Sequence, residues 1–192
     1  KSLYESSSRA DREELYRWIE YYKIKFKSRV YTPLNNSEKY TLVLMGRADF
    51  GLLGSYNKYK QTPFETFHVG GDGMTGSYTY ATETIGLRGY DNGALTPYSD
   101  GRAYTRFSME LHFPFLLQPS STIYGLAFVE GGNAWTSLEN FNPFSLKRSA
   151  GVGVRIFLPM IGLMGIDWAY GFDKVQGEKG GGHFHFILGQ EF

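Results

Sequence analysis

The chain has 192 residues, a formal net charge of +1 and no cysteine, which excludes a disulfide framework, a thiolate metal site and the strong basic excess of a nucleic-acid binder. Its 15 Tyr, 15 Phe and 24 Gly against 7 Pro point to aromatic strands joined by turns, an all-β fold. No run of about 18 apolar residues is present, which excludes a membrane helix but not a membrane barrel, whose strands are half polar.

Residues 1–14 are polar and charged and read as a loop. The chain opens on Lys1-Ser2-Leu3-Tyr4, without an initiator Met and without a signal peptide, so we expect a fragment or a processed product. Strict alternation then sets in over 15–31: Tyr16, Trp18, Tyr22, Ile24, Phe26 and Val30 on one parity, Arg17, Lys23, Lys25, Lys27 and Arg29 on the other. At about 3.3 Å per residue that run spans roughly 55 Å, far longer than the strands of soluble proteins. The cationic ladder suits a barrel interior or a lipopolysaccharide-facing surface better than a phosphate site. Pro33-Leu34-Asn35-Asn36-Ser37 is a turn by composition, and a second strand is predicted over 39–53.

Residues 54–101 break the pattern with Gly, Asp, Asn and Thr, and are predicted to be one long loop. Loops longer than about 12–15 residues in a compact domain are usually functional or disordered. Within it lies Gly86-Leu87-Arg88-Gly89-Tyr90, an arginine held between glycines and flanked by apolar side chains. A guanidinium is a rigid fork of five donors that keeps its charge, and glycine permits close backbone packing. The spacing suggests a loop tip that docks Arg88 on acidic partners.

Five further strands are predicted: 102–113, closed by Pro114 and the 118–121 turn; 122–135; 148–158; 163–173; and 183–192. The first carries Glu110 on its polar face, the second Glu130. The third places Val152, Val154 and Ile156 outward with Gly151, Gly153 and Arg155 opposite, and the fourth places Ile166, Trp168 and Tyr170 opposite Asp167. Trp18, Trp135 and Trp168 suggest an interfacial aromatic girdle. Seven strands is an odd number, and an unclosed sheet would leave edges that lipid cannot satisfy, so the chain is expected to be part of a larger barrel. A loop folded inward would bring Arg88 within reach of Glu110 and Glu130.

Gly86-Leu87-Arg88-Gly89-Tyr90 resembles the VRGF/Y arginine-loop motif of the BamA superfamily, with Leu87 where Val or Ile is commoner and Tyr90 in place of Phe. The order also resembles that family: two strands, a long loop with the motif, then five strands ending on an aromatic residue. Met109-Glu110-Leu111-His112-Phe113-Pro114, Phe128-Val129-Glu130-Gly131-Gly132-Asn133-Ala134-Trp135 and the closing Gly189-Gln190-Glu191-Phe192 carry the likeness further. The resemblance implies that residues 1–192 are the last seven strands of a 16-stranded transmembrane β-barrel of the bacterial outer membrane. It implies a latch in which Arg88 pairs with Glu110 and Glu130. It also implies a lateral seam and C-terminal signal strand bearing Phe184, Phe186, Leu188, Gly189 and Phe192, with Gly189 weakening the strand's packing. The implied function is folding and insertion of other β-barrel proteins by strand pairing at that seam. The partners are outer-membrane lipid and lipopolysaccharide, unfolded barrel substrates, accessory lipoproteins and the upstream part of the same barrel. A two-partner-secretion pore of the same superfamily and a porin remain as alternatives. No Ser/His/Asp set, P-loop or cofactor fingerprint stands out, so neither an enzyme nor a cofactor is expected. His183 with His185, and Asp72 with Asp91, are weak metal candidates.

Overall fold

The computed structural model describes residues 20–35, 37, 40–56, 61–73, 82–98, 100–118, 120–160, 162–175 and 181–189. Its frame is one antiparallel sheet of seven strands, here β1 (Tyr21–Pro33), β2 (Val43–Ser55), β5 (Ala103–Gln118), β6 (Ser121–Trp135), β7 (Lys147–Leu158), β8 (Gly162–Gly171) and β9 (Gly182–Leu188). They lie side by side in chain order. A second, two-stranded sheet, β3 (Phe67–Val69) and β4 (Glu83–Ile85), sits in the connection between β2 and β5. A single 3-10 turn, Leu138–Asn140, interrupts the β6–β7 connection.

Period two decides the two faces. The inner face, which the β2–β5 connection covers, buries Asp49, Arg106, Ser108, Glu130, Arg155, Asp167 and His185. The outer face presents Ile24, Phe26, Val30, Met109, Val129, Val152, Ile166, Phe184 and Phe186. A soluble sheet puts its apolar side against a core; this one puts it outward and gathers charge within, the pattern of a wall facing lipid. Phe26, Phe50 and Phe107 contact one another across three strands on that outer face, with centroid distances of 6.1 and 5.3 Å.

Two expectations change. Residues 54–101 are not simply loop: β3 and β4 pair in parallel, Phe67 against Glu83 through Val69 against Ile85. Three-residue strands are too short for alternation to reveal. With Leu53 and Tyr104 from the large sheet, Phe67, Val69 and Ile85 form a buried apolar cluster, which packs the connection onto the inner face. The strand after it also does not end at residue 113. It runs through Pro114 to Gln118, and a register shift between Pro114 and Leu116 accommodates the proline. The first strand is described from Tyr21; residues 15–19, Trp18 among them, lie outside the described residues, as does Phe192.

Candidate functional site

The connection reaches its deepest point at the arginine motif. Leu87 forms a two-way backbone bridge with Gly71, at 3.0 and 3.1 Å, which straightens the segment and aims the next residue into the sheet. At Gly89 the backbone turns with φ +88°, a conformation that disfavours a side chain. A Cβ there would also come within 2.7 Å of Ser149 Cβ and 3.0 Å of the Gly171 amide nitrogen, so the glycine is required for space as well.

Arg88 is 7% exposed and meets three carboxylates from three strands. Its Nε donates to Glu130 Oε1 at 3.0 Å, its Nη1 to Asp167 Oδ2 at 2.9 Å, and its Nη2 to Glu110 and Glu130. The Arg88 backbone N–H donates to Glu130 Oε2 at 2.9 Å, so one carboxylate grips both main chain and side chain. The guanidinium lies 3.5 Å above the Phe128 ring. Burial opposes the charge, but the Glu130, Glu110 and Asp167 carboxylates outweigh it and push the Arg88 pKa further up.

The acids are themselves held. Ser108 donates to Glu130 at 3.2 Å, and a His112 ring nitrogen lies 2.9 Å from Glu110 Oε2. Arg155 Nη2 donates to Asp167 Oδ2 at 2.7 Å, and Nη1 to its other oxygen. Gly153 makes room for this: a Cβ there would sit 1.7 Å from Asp167 Oδ1. Arg88 and Arg155 thus face three carboxylates, with the His112 ring beside Glu110. Such a set is a buried network of charge-assisted hydrogen bonds that joins the connection to three strands.

A second arginine holds the motif's entrance. Arg106 Nη1 donates to the Gly86 carbonyl at 2.7 Å, while its Nε and Nη2 bind Asp49 Oδ2 at 3.1 and 2.7 Å. Arg47 Nε binds the same oxygen at 2.7 Å. Beyond the arginine, the Gly89 N–H donates to His185 Nε2 at 2.9 Å, and the Tyr90 hydroxyl donates to the Arg148 carbonyl at 2.7 Å. Burial pushes the Tyr90 hydroxyl pKa up to about 12.

Sequence reasoning missed Asp167, Arg106 and His185 as partners of the motif. Asp167 had a visible signal, a lone acid on the polar parity of an otherwise apolar strand. The sequence pairs His185 with His183 as a weak metal candidate; the structure instead engages its Nε2 with Gly89 and sets His183 Nδ1 3.2 Å from Asp91. The cationic ladder points at the connection. Lys23 binds Glu65 and Glu83, at 3.0 and 3.1 Å, and Lys25 binds Glu83 at 3.1 Å. On β9, Phe184, Phe186 and Leu188 are all exposed on the outer face, and β9 pairs with β8 alone among the described residues. At Gly189 a Cβ would meet nothing within 4 Å, and φ +94° is a conformation that favours glycine.

Comparison with known proteins bears on this arrangement. A family model described as the Omp85 superfamily domain matches residues 9–192. Among solved structures, BamA from Haemophilus ducreyi lacking POTRA domains 1–3 is similar, with a TM-score of 0.61 and 18% identity over 88% of this chain and 35% of that one. The likeness concerns the fold, and this chain spans about a third of that structure's length.

Proposed function

Taking as premise that the chain belongs to the Omp85 superfamily, we propose that it is the C-terminal part of a 16-stranded outer-membrane barrel that folds and inserts other β-barrel proteins. The observation that carries the reading is the Arg88 joint, which fixes a long connection against the inner face from three strands. A porin needs an open, ligand-sized constriction there, whereas these side chains are bonded to one another. The far edge of β9, which has no strand partner among the described residues, is where an incoming strand would pair, and its apolar outer face suits lipid. Substrate burial and strand pairing drive insertion, so neither nucleotide nor catalytic residue is assigned. Lipopolysaccharide, accessory lipoproteins and the upstream strands complete the proposed setting.

The test is reconstitution of the full-length protein in liposomes with an added unfolded barrel protein. Heat-modifiable gel migration of that substrate reads its folding. The proposal expects faster folding than in empty liposomes, and loss of the acceleration on Arg88→Ala. No acceleration, together with passage of a secreted polypeptide across the liposome, would assign the chain to translocation instead.

A further inference from the structure

The motif's backbone is gripped at consecutive points by side chains from different strands: Gly86 by Arg106 on β5, Arg88 by Glu130 on β6, Gly89 by His185 on β9. Of these, His185 alone lies on the strand at the end of the sheet, whose far edge has no partner among the described residues. It is also the one grip whose bond depends on protonation. An imidazole accepts at Nε2 only when that nitrogen is bare; an imidazolium presents two donors and no acceptor.

We propose that His185 is a positioning residue that ties the arginine loop to the edge strand β9, and that the tie exists only while its ring is neutral. Neutral His185 accepts from Gly89 and carries its proton on Nδ1. In acid the ring turns an N–H toward the Gly89 N–H, and two donors face each other. The loop tip then separates from β9 while Arg88 stays on its carboxylates. The groups facing His185 set the balance: Asp167 directly across on β8, Glu130 on β6, Asp72 in the connection, the Arg88 guanidinium on those same acids, and His183 stacked 6.2 Å away on its own strand. Of these acids, Glu130 and Asp167 are committed to Arg88 and Arg155. The inference concerns loop and strand alone and does not depend on the assembly reading.

Amide exchange in the full-length protein tests it, with rates corrected for the intrinsic effect of pH. At about pH 8, peptides covering 86–90 and 182–189 are expected to be protected together. As the pH is lowered stepwise to about 4, both lose protection together by roughly tenfold once the ring is protonated, the scale of one net hydrogen bond. His185→Gln keeps an acceptor oxygen that does not titrate, so its protection stays high at both values. His185→Phe is expected to be deprotected at both, and His185→Gln keeps the test decisive if that variant does not fold. A wild-type profile identical to that of His185→Gln, or acid loss in 86–90 without change in 182–189, would overturn the proposal.

Discussion

Arg88 shows how a charge becomes affordable away from water. Removing one partner of a buried, hydrogen-bonded ion set leaves an uncompensated charge, at a cost of about 3–5 kcal/mol. Arg88→Ala strands Glu110 and Glu130 and leaves Asp167 with Arg155 alone, so the folded barrel should melt at a clearly lower temperature in a heat-modifiability assay. Arg88→Lys should not restore the wild-type midpoint, because an ammonium cannot reach three carboxylates in a planar fork. Asp167→Asn is a milder lesion that leaves Arg155 and Arg88 sharing fewer acceptors, and its midpoint should fall between wild type and Arg88→Ala. The sequence made Glu110 and Glu130 legible as partners because parity places both on the polar side of neighbouring strands. Asp167 lies 79 residues from Arg88, and no local pattern links them.

Among the elements, the seven long strands were readable because each alternates over several residues, seven in all in β9, whereas the register shift between Pro114 and Leu116 hides the end of β5. β3 and β4 were not, since three residues carry no period and their pairing is with each other across the connection. The wall between β7 and β8 depends on glycine for space: in Gly153→Ala the added methyl collides with the Asp167 carboxylate, and should lower the melting midpoint even though alanine is otherwise a mild change. β4 is fastened to β1 through Glu83. Burial raises its carboxyl, but the hydrogen bonds from Lys25 and Lys23 outweigh that, and the folded pKa lies below the ordinary 4.5. A depressed carboxylate contributes stability fully above its unfolded value and loses it as pH falls through the folded one. A nitroxide pair on β1 and β4 should therefore hold a constant distance down to about pH 5 and broaden in stronger acid. Glu83→Gln should show the broad distribution already at neutral pH.

For the whole molecule the distribution of apolar surface matters most. Phe184, Phe186 and Leu188 stand outward at 70%, 58% and 66% exposure, and only a lipid or detergent shell makes that arrangement favourable. Phe184→Asp should reduce the yield of folded, membrane-inserted protein, while a comparable charge on the inner face is tolerated; charges on a lipid face cost about 2–4 kcal/mol at mid-bilayer and less near its surfaces. Separation along the chain has a kinetic consequence. The motif's partners lie 22, 42, 79 and 96 residues downstream of it, and the last belongs to the final strand. Contacts so distant form late, because the loop-closure entropy is spent before they contribute. The connection is expected to settle on β5 and β6, its nearer partners, before β8 and β9 bring Asp167 and His185 to it. Folding of this chain is therefore expected to finish at the motif, whose most distant partners stand on β8 and β9.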